Sequence, residues 1–232
     1  MAVTLSGVSV VLLPGTGSDD DYVYRAFCDA LHDVGAVVVT PTPQPSRLVD
    51  GYLEALDDAA RQGPIAVGGI SIGAAVAVSW ALAHPAAAVA VLAGLPAWTG
   101  SPENATAALA ARFSASVLRR DGLASAISQM RDSSPPWLSA ELTRSWIGQW
   151  PDLPDAMDAA ARYVAPTGAE LERLAVPMGI AAATDDPIHP LEVAVEWAAA
   201  APAAALRTFT LDDLGADPGV IGTACISALM EL

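Results

Sequence analysis

Short apolar runs alternate along this chain with longer stretches in which apolar residues recur every three or four positions. The runs are VSVVLLP (8–14), AVVVT (36–40), IAVGGIS (65–71), VAVLAGL (89–95), MGIAAAT (178–184) and LRTFTL (206–211). Most are continuously apolar, as a strand covered on both faces requires. Between them the spacing predicts helices up to Val34, from Val49 to Arg61, from Ser71 to His84, from Pro190 to Ala200, and a last one ending at Leu232. Ser18 is placed to cap the first helix, with Asp19 to Asp21 at its positive end, and Gly35 stops it. Strands alternating with helices predict a doubly wound, mainly parallel α/β sheet.

Residues 98–175 break this rhythm. They read as several helices, with starts at Ser101-Pro102-Glu103 and at the capping box Thr167-Gly168-Ala169-Glu170. The expected organisation is a core built from 1–97 and 176–232, with 98–175 inserted as a helical lid. The insertion holds Trp98, Phe113, Trp137, Trp146 and Trp150, which would face either a pocket or the insertion's own core. Trp98, at its start, is the candidate for substrate contact.

Gly69-Ile70-Ser71-Ile72-Gly73 fits G-x-S-x-G between an apolar strand and a helix rich in small residues. Small neighbours are needed there because a sharp strand-to-helix turn crowds the adjacent strand. Such a turn raises the serine hydroxyl above the sheet and aims the next N–H, that of Ile72, at a developing oxyanion. With its context, this stretch resembles the nucleophile elbow of the α/β-hydrolase family. The resemblance spans nearly the whole chain: strand order, elbow after a central strand, and insertion after the following one. It implies Ser71 as nucleophile. It also implies an oxyanion-hole N–H from Thr16, in Leu13-Pro14-Gly15-Thr16-Gly17, although Pro14 stands where family members often carry histidine.

The family's acid follows the penultimate strand. In Thr184-Asp185-Asp186-Pro187-Ile188-His189-Pro190 the register selects Asp186, leaving Asp185 as a helix cap. The family's base is a histidine after the last strand, and here Ala216 falls at that place. His32 reads as a surface residue and His84 as a helix C-terminal residue favoured by the dipole. His189, three residues after Asp186, either serves Ser71 in a rearranged Ser71–His189–Asp186 site or forms part of a pocket wall.

Composition removes other classes. The formal charge of -15 argues against nucleic acid or an anionic membrane as partner. All eleven basic residues are arginine, so Schiff-base lysines, Ser-Lys dyads and P-loop lysines are excluded. From Gln62 to Pro102 there is no charged side chain, but prolines and a glycine pair cut the stretch below the ~20 residues of a spanning helix. Cys28 and Cys225 fit no metal or redox spacing and read as buried free thiols. No export signal is visible, so a cytoplasmic location is expected. No cofactor and no metal are expected; the partner is a small-molecule substrate, and a homo-oligomer is compatible with the sequence. The expected activity is hydrolysis of a small, mostly neutral ester or thioester. A hydrolase-fold binding protein, or a lyase-like enzyme on the same fold, stays open beside it.

Overall fold

The computed structural model describes residues 4–232. The first apolar run forms β1 (Ser9–Leu13), followed by α1 (Asp20–Asp33) and the short β2 (Val37–Val39). After one 3-10 turn come α2 (Leu48–Ala60), β3 (Ile65–Ile70), α3 (Ile72–Ala83) and β4 (Ala88–Gly94). Four helices are then inserted: α4 (Thr106–Ser133), α5 (Pro136–Gln149), α6 (Leu153–Arg162) and the single-turn α7 (Gly168–Leu171). The core resumes with β5 (Met178–Ala183), α8 (Leu191–Ala200), β6 (Ala204–Phe209), α9 (Leu211–Ala216) and α10 (Val220–Leu229).

Among the described residues the six strands run parallel in the order β2-β1-β3-β4-β5-β6. Side chains alternate between two cores. On one face Val11, Leu13, Val67 and Val91 pack against α2, α3 and the inserted helices. On the other, Val10, Leu12, Ala90 and Leu92 pack against Val23 and Phe27 of α1 and Ile221 and Cys225 of α10. Burial on both faces is why β3 is apolar throughout, and why α3, the central helix, lacks a polar side. The strand order reverses between β1 and β3. In open parallel sheets ligands bind outside the carboxyl ends of the strands at such a reversal. The loop after β1 and the turn after β3 both open there.

The uncharged stretch 62–102 is accounted for by β3, α3 and β4, and among the described residues no helix is long and apolar enough to cross a membrane. Three local expectations are corrected. Asp19, not Ser18, caps α1: its carboxylate accepts the Tyr22 N–H, while the Ser18 N–H closes a turn onto the Gly15 carbonyl at 3.0 Å. Leu211, placed by the last apolar run at the end of a strand, instead begins the helix α9, started by a capping box between Thr210 and Asp213. Of the cysteines only Cys225 is buried, and burial pushes its thiol up; Cys28 is half-exposed, with its Sγ against Asp29.

Candidate active site

Ser71 occupies a backbone conformation that L-residues seldom adopt, φ 56° and ψ -116°. The turn is enforced by its neighbours. A Cβ on Gly69 or on Gly73 would collide with the Leu13 carbonyl oxygen, so β1 and the turn after β3 touch backbone to backbone. The Ser71 N–H donates to the Gly94 carbonyl at 2.9 Å and its carbonyl accepts from Ala75 at 3.1 Å, fixing both sides of the bend. Ser71 stands at the N-cap of α3, yet its side chain makes no capping bond. The hydroxyl is left for the cavity it lines, beside the positive end of a helix.

Asp186 and His189 are brought together in the loop after β5. His189 Nδ1 lies 2.7 Å from Asp186 Oδ2, and Asp186 Oδ1 accepts the Ile188 N–H at 2.8 Å. That second bond closes an Asx turn, which is what lets a residue three positions on fold back onto the carboxylate. An ionised carboxylate only accepts, so Nδ1 carries the proton and Nε2 is the open, accepting nitrogen. Burial acts to raise the Asp186 carboxyl, but the His189 hydrogen bond and charge, with the Ile188 and His189 N–H groups, hold it below the ordinary range. A depressed carboxylate stabilises the fold above its unfolded value, and that stability is lost as pH falls through the folded value. The wild-type chain should therefore lose more urea stability below about pH 4 than Asp186→Asn does, and parallel midpoint curves for the two would contradict this.

Asp185 belongs elsewhere. Its Oδ1 accepts the Leu211 N–H at 2.8 Å, so it ties the start of α9 rather than capping α8.

The loop after β1 supplies the other wall. Gly15, Thr16 and Ser71 line one cavity, and among the described residues neither the Thr16 N–H nor the Ile72 N–H has a hydrogen-bond partner. Buried Tyr52 of α2 donates its hydroxyl to the Pro14 carbonyl at 3.0 Å, orienting the peptide just before Gly15.

This cavity, about 620 Å³, has the size of a small-molecule site. It lies between the sheet's carboxyl edge and the inserted helices, and holds Ser71, Asp186 and His189 together. Its walls are mainly apolar, among them Ala111, Val117, Met130, Leu138 and Leu142 from α4 and α5. No direct hydrogen bond joins Ser71 to His189 among the described residues. His32 and His84 are exposed on other parts of the fold, His84 stacking on Trp80. From the segment after β6, Leu211 and Leu214 face the cavity while Ala216 is exposed, so no imidazole comes from that side.

Trp98 is corrected. It packs in the core at the root of the insertion, its indole N–H donating to the Tyr163 carbonyl at 3.3 Å. It edges a second, more open depression of about 630 Å³ with Glu103 and Glu196, which contains neither Ser71 nor any histidine. Trp146 and Trp137 of α5 line the Ser71 cavity instead.

No family model matches the chain, and no curated protein does. Solved structures do. An enol-lactonase from Burkholderia xenovorans LB400 superposes with a TM-score of 0.67 at 19% identity, over 89% of this chain and 84% of that one. A hydrolase from Oleispira antarctica gives 0.71 at 15% identity, over 96% and 92%. An alpha/beta hydrolase from Sphaerobacter thermophilus gives 0.62 at 18% identity, again over 96% and 92%. The chain has the α/β-hydrolase fold, with a helical insertion between β4 and β5.

Proposed function

We propose that the chain is a serine hydrolase of small, mostly neutral esters or thioesters. The observation that carries this reading is one cavity holding a strained, uncapped Ser71 and an imidazole whose Nδ1 is already fixed by a partly buried carboxylate. In the proposed cycle Ser71 Oγ attacks the carbonyl carbon and its proton passes to His189 Nε2. Asp186 holds the tautomer and stabilises the imidazolium. The Thr16 and Ile72 N–H groups take the oxyanion, helped by the N-terminal end of α3. His189 then protonates the leaving group, and water, deprotonated by the same nitrogen, releases the acid. Catalytic hydrogen bonds often tighten only when substrate is bound, so the first proton transfer runs through rotation of His189 or one bridging water.

Cavity electrostatics support the substrate class. Asp19, Glu141 and Asp186 line the cavity with one arginine, Arg144, whose guanidinium is already paired with Asp19, Asp21 and Glu141. Among the described residues lining the cavity no unpaired arginine remains to hold an anionic acyl group, while the apolar walls favour an alkyl one. With p-nitrophenyl esters of equal chain length, kcat/KM for the neutral acyl group should exceed that for its ω-carboxylate by at least about tenfold. Equal values, or preference for the carboxylate, would overturn the substrate class.

A second reading has its own observation. Leu211 and Leu214 fill the wall after the last strand, from which the family's base would come, as suits a hydrolase-fold protein that binds its ligand without turning it over. Under that reading Ser71 is not a nucleophile.

A further inference from the structure

Three consecutive residues after Thr16 are held by three side chains of one inserted helix. The first is Gly17, which lies under the indole of Trp146: a Cβ there would come within 2.7 Å of Trp146 Nε1 and 3.5 Å of a Met157 methyl. Gly17 also has φ +70°, at the third position of the turn that the Ser18 N–H closes onto the Gly15 carbonyl. A positive φ at that position, with Thr16 before it, is the geometry of a type II turn and calls for glycine. Ser18 comes next; its carbonyl accepts from Gln149 Nε2 at 2.9 Å, and the same amide nitrogen bonds Ser145 Oγ at 2.7 Å. Asp19 is gripped last, by both arms of Arg144, at 2.6 and 3.1 Å.

Each of these loop residues lies more than 120 positions from its partner on α5, so no local preference of the loop places them so. On the other side of Thr16, the Pro14 carbonyl is held by Tyr52 of the core. Thr16 thus sits between one anchor supplied by the sheet domain and three supplied by the insertion. Glu141 extends the attachment: it bonds Arg144 at 2.9 Å and Arg25 of α1 at 2.7 Å, so α5 and α1 are joined directly across the mouth.

We propose that α5 is the positioning element of the oxyanion loop, with Trp146, Gln149 and Arg144 setting the Thr16 N–H through Gly17, Ser18 and Asp19. This rests on the reading of Thr16 as an oxyanion donor. The physical reason is the steep dependence of transition-state stabilisation on donor placement: a displacement of about 1 Å costs on the order of 10²-fold in rate. A short glycine-containing turn cannot hold an amide to that tolerance alone, because glycine gives up the most backbone freedom on ordering. Trp146 acts by contact, since among the described residues its buried Nε1 has no hydrogen-bond partner. The insertion is then more than a cover: when α5 is not docked, the oxyanion hole is incomplete.

The test pairs hydrogen exchange with kinetics in Gln149→Met, Arg144→Met and their double variant. Exchange of the 14–19 segment should quicken, with the β3 and β5 segments unchanged. For a neutral p-nitrophenyl ester, kcat should fall about tenfold in each single variant and on the order of 10²-fold in the double, with KM within about twofold. Trp146→Ala should lower kcat similarly, and Trp146→Phe, which keeps a ring over Gly17, should recover most of that loss. Unchanged exchange at 14–19 in the double variant would overturn the proposal, and so would faster exchange with kcat unaltered or with the loss in KM alone. If the native chain hydrolyses no ester, the hydrolase reading fails, whereas the exchange data still decide whether α5 holds the loop.

Discussion

Turnover of a neutral p-nitrophenyl ester is expected to fall by about 10⁴-fold or more in Ser71→Ala, and by a comparable factor in His189→Ala. The two losses should be similar because nucleophile and base act as one unit: an alcohol without a base scarcely attacks, and a base without the alcohol has no proton to take. The double variant should therefore be no worse than either single one. Residual rate above solution would come from the Thr16 and Ile72 amides, which neither substitution touches. His189 is partly buried and bonded to Asp186 by a contact that the alanine removes, so stability must be measured beside rate. Retained turnover in His189→Ala, in a folded chain, would remove the rearranged triad from consideration.

Gly73→Ala is expected to cost at least about 3 kcal/mol, or to prevent folding. The added methyl would collide with the Leu13 carbonyl oxygen and approach the Leu13 carbonyl carbon at 2.7 Å and the Pro14 oxygen at 2.8 Å. These are backbone atoms of Leu13 at the carboxyl end of β1 and of Pro14 just after it, and they cannot turn aside as a flexible side chain would. The displacement would also pass to the loop carrying Thr16. Gly148 in α5 is the contrast, since a methyl there meets nothing within 4 Å. Gly148→Ala should gain up to about 1 kcal/mol from helix propensity. Urea unfolding midpoints of the two variants would check both signs, and a Gly73→Ala chain as stable as wild type would contradict the close-packed elbow.

Much of the fold was written in the period of apolar residues, because strands buried on both faces must be apolar at every position. β3 and β5 are the clearest cases. What the pattern hid has physical causes. Residues 211–216 look like a turn through Asp212, Asp213 and Gly215, and the signal missed there was the Thr210-to-Asp213 capping box. Ser18 and Asp19 are equivalent caps by residue type; the choice fell to Asp19 because the Ser18 amide and carbonyl are engaged elsewhere in the fold.

The site was legible to a similar depth. Elbow glycines are a local steric requirement, and the three-residue spacing of Asp186 and His189 is readable as a possible contact, which the structure makes. Trp98 went astray because sequence shows an aromatic near a strand end but not which core it enters. The grip of α5 on the loop after β1 left no local trace, since its partners are joined only by tertiary folding.

If His189 serves Ser71, removing the imidazole must slow every reaction that begins at the serine hydroxyl. The most direct test is the second-order rate of fluorophosphonate labelling, with the modified residue located by mass spectrometry, in wild type and in His189→Ala. Wild type should be labelled at Ser71, and the rate in the variant should be at least about 10²-fold lower. Equal rates in the two chains, or no labelling of Ser71 in wild type, would contradict that role.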